Sequence, residues 1–300
     1  MTITLKLIKD AQGCLYFQEL ERRTWASPDD DLIPTHVGVT VAKNGGALLG
    51  AFADDGPAET GGMVGAALWW LGTDTRQVVI DEPPSADEGL LPPARIAAAL
   101  KVCSHIAGVL PAWQGRGIGL MLKLKQRELV RQQGLTDRIT WTYDPLYRTN
   151  GVLNIHRLGA TCNSYFTNVY GDMTDALNRG VPSDRCQVDW MLNSARVVQC
   201  ATARPPAIDW LAQPLHVLPT IPAAHDFRQP VDQPVKLEGA PLAMPIPDDI
   251  GAIRRVDGAL SLAWRLYTRQ VLQEAFANQY RMVDCVNLPN LGWHYILTLQ

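Results

Sequence analysis

The sequence predicts a mixed α/β (α+β) fold, in which helices flank a mostly antiparallel sheet and a helix with a hairpin follows at the C-terminal end. Three observations predict it. Short apolar runs separated by turn residues fill the first hundred positions, as in an antiparallel meander. An apolar strand, a glycine turn and an amphipathic helix succeed one another from Val102 to Val130. Helical spacing over Gly258 to Phe276 then precedes two strand-like runs.

The meander is interpreted from its alternating apolar positions. Its predicted strands are Thr2 to Lys9, His36 to Val41, Ala47 to Phe52 and Met63 to Trp70. Asn44-Gly45 is a hairpin signal between the second and third of these strands. Gln18 to Trp25 is a candidate helix, and Asp81 to Leu91, rich in proline and acidic residues, is predicted to be an exposed loop.

The central unit comprises a strand from Val102 to Leu110, a turn from Pro111 to Gly119 and a helix from Leu120 to Val130. After it come predicted strands at Arg138 to Tyr143, Ser164 to Tyr170 and Gln187 to Leu192. A short helix from Asn150 to Leu158 should stop at Gly159. These elements form a first domain over residues 1–200.

Ten prolines between Arg204 and Pro247 exclude long helices and interior strands, so residues 201–250 are predicted to be a linker or surface belt. Residues 251–300 hold the helix and a hairpin, Tyr280 to Val286 with Trp293 to Leu299. About fifty residues make a poor core alone, so Trp264 and Tyr267 should pack against the first domain.

Composition narrows the class of protein. With 300 residues, 19% charged and 47% hydrophobic, the chain is typical of soluble globular proteins, and we expect it in the cytoplasm. A net charge of −3 gives no general attraction to nucleic acid or to anionic membranes. The six cysteines have no CxxC spacing, so we expect reduced thiols, no disulfide framework and no metal site.

The glycine turn of the central unit predicts an anion site. The first turn of a helix leaves backbone N–H groups without partners, and glycines let a phosphate approach them. A dinucleotide fingerprint does not fit, because Leu120 stands where its last glycine should be, and no P-loop sequence exists. A tight turn without a ligand remains the plain alternative.

Gln114-Gly115-Arg116-Gly117-Ile118-Gly119 matches the acyl-CoA loop of the GNAT acyltransferases, Gln/Arg-x-x-Gly-x-Gly/Ala. From about His36 to Leu192 the chain resembles a subfamily of predicted acetyltransferases of that superfamily. The resemblance lies in HVGVTVAKNGG, GALLGAF, SHIAGVLPAWQGRGIG, WTYDPL, NGVLNIHRLGA, YFTNVYG and SDRCQVDW. This subfamily is similar to the acyltransferases that accompany N-succinylamino acid racemases.

The resemblance implies acetyl-CoA or another acyl-CoA as co-substrate. Its pyrophosphate would lie on the loop, its pantetheine beside the central strand, and its acyl oxygen on the N–H near Val109 or Leu110. Asn150 and Asn154, predicted on one helical face, would bind the pantetheine amides. The predicted binding residues are Gly108, Val109, Leu110, Gln114, Gly115, Arg116, Gly117, Ile118, Gly119, Leu120, Asn150 and Asn154. Lys123 and Arg127 either meet the 3′-phosphate or form a solvated helix face.

An attacking amine must be neutral, so a base or a water relay to one is expected. His105, four residues before Val109, is the first candidate, and a core histidine is its plain alternative. Asp144 is either a second base or the cap of the next turn. The leaving thiolate needs a proton, but Ile155 stands where the family pattern NxxAxxxYxxxGF has tyrosine. Tyr170 or Tyr165 could replace it.

Four arginines could bind a carboxylate on the acyl group or acceptor: Arg179, Arg185, Arg265 and Arg269. The predicted function is acylation of a small-molecule amine, such as an amino acid, by direct attack, in a monomer or homodimer with no nucleic-acid or membrane partner. The missing tyrosine leaves open a degenerate acyl-CoA-binding sensor, and a plain structural module is the third possibility.

Overall fold

A computed structural model describes residues 2–74, 100–171 and 181–299. The expected fold class is confirmed: helices flank a large, mostly antiparallel sheet with strand order β1-β2-β3-β4-β5-β7-β6-β12-β13-β11-β8. The strands are β1 (Ile3–Ile8), β2 (Ala47–Ala53), β3 (Met63–Thr73), β4 (Leu100–Val109), β5 (Arg138–Tyr143), β6 (Thr161–Phe166), β7 (Arg185–Met191), β8 (His216–Val217), β9 (Thr220–Pro222), β10 (Arg228–Pro230), β11 (Leu242–Pro245), β12 (Tyr280–Leu288) and β13 (Gly292–Leu299).

The helices cover both halves of the chain. They are α1 (Ala11–Trp25), α2 (Thr35–Lys43), α3 (Ile118–Gln133), α4 (Arg148–Gly151), α5 (Ala195–Thr202), α6 (Ile250–Val256) and α7 (Gly258–Ala277). A π-helical turn, Val152–Arg157, continues α4. Within the described ranges every helix is too short or too polar to cross a bilayer, and no three metal-binding side chains gather at one point. The loop predicted from Asp81 to Leu91 lies outside the described residues.

The strand predicted at His36 to Val41 is wrong, because this stretch is helix α2. Its β-branched residues favour a strand locally. Pro34 starts the helix, and Gly38 lies so close to α1 that a Cβ there would be 2.9 Å from the sulfur of Cys14. This contact between helices is absent from any local pattern. The segment predicted as strand Ser164 to Tyr170 also ends early, because β6 stops at Phe166.

The proline-rich stretch contains an interior strand, contrary to prediction. All four residues of β11 are buried, and the strand lies between β13, to which it is antiparallel, and β8, to which it is parallel. Pro241 precedes it and Pro245 is its last residue. Prolines at the strand ends remove no ladder N–H from Ala243 and Met244, so the strand can pair on both sides.

The C-terminal segment extends the same sheet. Met282 of β12 pairs with Cys162 of β6, and β12 and β13 form the expected hairpin. Helix α7 buries Trp264 and Tyr267 in the hydrophobic core shared with the first half of the chain. The boundaries at residues 200 and 250 stay a prediction.

Candidate active site

The site begins where the sheet splits. The parallel strands β4 and β5 pair only at Val102 with Ile139 and at Cys103 with Thr140. Beyond these pairs β4 continues to Val109 and β5 to Tyr143 without further pairing between them. The edge of β4 that faces β5 is therefore open from Ser104 onward, and we name this opening the β4–β5 gap.

Backbone direction decides which groups line the gap. The N–H of Leu110 donates to the carbonyl of Val64 in β3, 2.9 Å away, so it points away from the gap. Along an antiparallel strand, successive residues direct their N–H and C=O groups to opposite sides. Val109 and Ala107 therefore turn these groups toward β5. The sequence offered the N–H of Val109 or of Leu110 for the acyl oxygen. Of these two, the N–H of Val109 points into the gap, whereas that of Leu110 is bonded to Val64. Ala107 was missed, because its direction follows only from the strand register.

His105 lies at a bulge in β4. The register with β3 shifts there, since Ile106 pairs with Leu68 whereas Ser104 pairs with Trp69. The exposed His105 ring packs against Trp70 with centroids 5.0 Å apart, and partial burial lowers the pKa of His105 below 6.5. Among the described residues it makes no hydrogen bond, so the satisfied core histidine weighed from sequence is not what the structure contains. The ring contacts Trp70 of β3, and the role of His105 as a base stays a prediction.

The glycine turn is open to an anion. Gly115 and Gly117 have φ of +75° and +78°, which disfavour other residues, and nothing lies within 4 Å of a Cβ built on either. Gly117 is the N-cap of α3, no side chain caps this end, and the first helical bond runs from Met121 N–H to the Gly117 carbonyl. The N–H groups of Ile118, Gly119 and Leu120 are thus outside the helical ladder.

Side chains of the turn brace it from outside. Gln114 donates from Nε2 to the Val109 carbonyl at 3.0 Å, which ties the turn to the end of β4. Arg116 donates to the Ala112 carbonyl at 3.0 Å and lies 4.7 Å from the Trp113 ring. Ile118 is buried and anchors the start of α3. The first residues of the turn therefore hold its shape.

The two cations after the turn do not form a phosphate site or a solvated face, so both interpretations of them are wrong. Lys123 is 3% exposed, and its Nζ donates to Ser104 Oγ at 2.8 Å and to Gln126 Oε1 at 3.2 Å. Arg127 is 9% exposed and donates to the Leu192 carbonyl. This face of α3 covers the sheet, so the two long side chains are taken into its core.

Asp144 lies in a buried ion pair, and its role as a catalytic base stays a prediction. It is 6% exposed and forms an ion pair with Arg265 of α7, itself 1% exposed. Its second oxygen accepts from the Leu146 N–H at 3.0 Å, the cap that the sequence offered as the alternative. Burial disfavours the Arg265 cation, but the Asp144 charge outweighs it and raises the pKa of Arg265 above its ordinary value.

The two candidate tyrosines differ. Tyr165 donates to Asp184 at 2.8 Å, and burial raises its pKa, so it is a poor acid. Tyr170 is exposed, and its hydroxyl lies 3.0 Å from Thr142 Oγ1. Thr142 points to the opposite face of β5 from Trp141, whose ring contacts Lys123. Tyr170 therefore reaches the far face of β5, and its catalytic role stays a prediction.

Asn150 and Asn154 differ in exposure, and their role in binding pantetheine stays a prediction. Asn150 is exposed, whereas Asn154 is 5% exposed within the π-helical turn. Leu153 of this turn lies 3.7 Å from a Cβ built on Gly119, so α4 and its continuation flank the start of α3.

Most of the arginines proposed to bind a substrate carboxylate already form hydrogen bonds within the protein. Arg269 donates to both oxygens of Asp184, and Arg185 donates to the Asp184 carbonyl. With Asp144 and Arg265, these pairs fasten α7 to the ends of β5, β6 and β7. Arg179 lies outside the described residues.

A scan against family models and a search of curated proteins gave no match. Several solved structures have a similar outline. A GNAT-family protein from Desulfovibrio desulfuricans is 15% identical with a TM-score of 0.41, covering 64% of this chain and 99% of that one. Arabidopsis thaliana NAA60 with acetyl-CoA is 14% identical, with a TM-score of 0.47 and coverage of 64% and 100%. The protein yncA from Salmonella typhimurium with acetyl-CoA is 16% identical, with a TM-score of 0.42 and coverage of 69% and 100%. At these identities and scores, the likeness carries no conclusion about the activity of this chain.

Proposed function

We propose that this protein is an acyl-CoA-dependent N-acyltransferase that acylates a small-molecule amine by direct attack, with acetyl-CoA or succinyl-CoA as donor. One observation carries the proposal: the β4–β5 gap opens beside an uncapped helix end whose glycine turn is free of side chains. A linear molecule with an anionic end and amide groups fits both features together. Acyl-CoA has this form.

The turn supplies the anion site. The N–H groups of Ile118, Gly119 and Leu120 are outside the helical ladder and at the positive end of the α3 dipole. Each such contact contributes roughly 0.3–2 kcal/mol, so several are needed for micromolar affinity, about −8 kcal/mol. A pyrophosphate engages several N–H groups at once, which a single carboxylate cannot.

The open edge of β4 supplies backbone partners for the pantetheine amides and the thioester. Ala107 and Val109 direct their N–H groups into the gap, so either can donate to the acyl oxygen as negative charge develops on it. One such donor typically contributes roughly a hundred- to a thousandfold in rate.

His105 is the base that the geometry favours. An alkyl amine of pKa about 10.4 is roughly a thousandth neutral at about pH 7.4, which costs about 4 kcal/mol. The lowered pKa of His105 keeps its ring neutral at that pH, ready to accept a proton from the amine directly or through water. The acceptor, an amino acid or a similar amine, is proposed from the resemblance.

A sensor that binds acyl-CoA without turnover is the second candidate. The reason to consider it is Ile155, which is fully buried at the position where the family pattern has a tyrosine. The family's proton donor to the leaving thiolate is therefore missing from that position.

Thiol release separates the two candidates. Purified protein is mixed with acetyl-CoA or succinyl-CoA and a panel of amino acids and simple amines, and free thiol is followed. Amine-dependent release supports the transferase. Binding of acyl-CoA without release across the panel supports the sensor, and absence of binding contradicts both.

A further inference from the structure

A cavity of about 170 Å³ lies in the C-terminal half of the chain. It is enclosed by the β9–β10 hairpin, the segment between β11 and α6, helices α6 and α7, and the turn between β12 and β13. Its described lining residues include none of the strand residues that border the β4–β5 gap. An apolar cavity of about 150 Å³ is large enough to bind benzene. This cavity therefore has room for a small organic molecule, at a place separate from the candidate active site.

Aromatic side chains form the inner wall of the cavity. Trp264 of α7 is 1% exposed, and its Nε1 donates to the Arg228 carbonyl at 3.0 Å, which fixes the indole in place. Phe227 and Trp293 are partly buried against the core and also line the cavity. The faces of aromatic rings carry partial negative charge, so they contact both apolar groups and organic cations favourably.

The rim of the cavity is acidic. Asp226, Asp248 and Asp249 line it, and all three are exposed. Within the described ranges, neither Asp226 nor Asp248 is in an ion pair. Among the described lining residues the guanidinium is that of Arg228, whose Nη1 donates to the Leu291 carbonyl, so this cation lies against the β12–β13 turn. Carboxylates therefore outnumber the guanidinium, and the cavity favours a ligand with positive charge.

The turn that carries Asp226 has an unusual backbone. His225 and Asp226 have φ of +58° and +59°, a region in which residues other than glycine are strained. They are the central pair of the β9–β10 hairpin turn, closed by a bond from the Phe227 N–H to the Ala224 carbonyl at 3.2 Å. Asn-Gly is the usual pair in such a turn. Here the strain is retained with two larger side chains at the rim, and residues held in this way cluster at ligand sites.

We propose that this cavity binds a small organic ammonium ion. The ammonium group lies at the carboxylates of Asp226 and Asp248, and an aromatic or branched alkyl group lies against Trp264 and Trp293. An anion would meet the acidic rim, and a neutral apolar molecule would use the rings alone. An organic cation uses both features together. The ligand belongs to the same chemical class as the proposed acceptor, but its binding depends neither on acyl-CoA nor on the transferase activity.

Calorimetric titration of the 300-residue protein without acyl-CoA tests the proposal. Three probes of similar size are compared at pH 7.4: phenethylamine, which is then a cation, hydrocinnamate, which is an anion, and phenylalanine, which carries both charges. The titrations are repeated with the double variant Asp226→Asn, Asp248→Asn and with Trp293→Ala. Asp249 is kept, because its carboxylate accepts from the Ala252 N–H and caps α6.

Asp232→Asn is the matched control, because Asp232 is exposed in the same stretch of chain and is not among the described lining residues. The expected Kd of phenethylamine for wild type is roughly 0.1–1 mM, as for other ligands of this size. The double variant should bind it roughly three- to thirtyfold more weakly, and Trp293→Ala roughly threefold or more. Asp232→Asn should match wild type, and hydrocinnamate should not bind. Urea denaturation shows that each variant is folded.

Three outcomes would overturn the proposal. Absence of phenethylamine binding to wild type leaves the cavity without its ligand. Full retention of binding by the folded double variant places the amine elsewhere in the protein, the β4–β5 gap included. Tighter binding of phenylalanine or hydrocinnamate than of phenethylamine makes Arg228 the anchor and the ligand a carboxylate. If Trp293→Ala does not fold, the double variant still decides, since its substitutions are exposed and conservative.

Discussion

Replacing Arg265 with methionine should destabilise the protein by removing one half of a buried ion pair. Arg265 is 1% exposed and Asp144 is 6% exposed, so Arg265→Met leaves a carboxylate in the core without its cation. Breaking such a pair costs about 3–5 kcal/mol. Asp144 keeps the bond from the Leu146 N–H, so we expect the lower end, about 3 kcal/mol or a fall in Tm of roughly 6–10 °C.

Urea denaturation of four proteins tests this value. They are wild type, Arg265→Met, Asp144→Asn and the double variant, with the exposed Arg255→Met as a control expected within about 0.5 kcal/mol of wild type. The double variant should regain much of the loss, because neither charge is then stranded. A cost below about 1 kcal/mol for Arg265→Met would refute the anchor. Normal stability with lost turnover in Asp144→Asn would instead support Asp144 as a base.

Further predictions concern other ionisable groups. Burial raises the pKa of Glu21 to about 7, so its ionisation opposes folding increasingly as pH rises above 4.5. Glu21→Gln should therefore raise the free energy of unfolding by about 1–3 kcal/mol at pH 8 and change it little at pH 4.5. Urea denaturation at both pH values measures this difference. Burial would raise the pKa of Asp184, but Arg269 and its other donors outweigh this and hold it below 3.8. The ionised Asp184 therefore stabilises the folded protein above that pH, and this contribution is lost as pH falls further. Asp184→Asn should lower the free energy of unfolding by about 3 kcal/mol at pH 7 and make it depend less on pH in the acid range. His105→Gln should lower kcat roughly 10²–10⁴-fold without weakening CoA binding, and the wild-type acid limb of kcat/KM should lie below pH 6.5. Unchanged stability in the first two variants, or unchanged kcat in the third, would contradict these assignments.

Local pattern predicted the central unit well. The apolar run before Pro111, the glycines and the helix after them occur in the expected order, because each depends on neighbours in sequence. Helix α2 was missed because the proximity of Gly38 to Cys14 outweighs the strand preference of its valines. The strand β11 was missed because proline density was counted without regard to the ends at which the prolines stand.

The site was harder to predict, since its chemistry depends on register and burial. Ala107 faces the gap only because Leu110 is bonded to Val64, which no local spacing reveals. Lys123 has the spacing of a surface lysine, but α3 turns it onto the split between two strands. Asp144 follows β5 as predicted, but its partner Arg265 comes from more than a hundred residues later.

Calorimetric titration of CoA into wild type and Gly117→Asp tests the central claim most directly. Gly117 has φ of +78° and open space around its Cβ position, so the aspartate would place negative charge where the pyrophosphate should lie. The account predicts binding by wild type, with acyl-CoA and CoA but not with NADPH, and at least tenfold weaker binding by a folded Gly117→Asp, about 1.4 kcal/mol. Equal binding by the two proteins, or no binding by wild type, would contradict the assignment of the glycine turn as the acyl-CoA site.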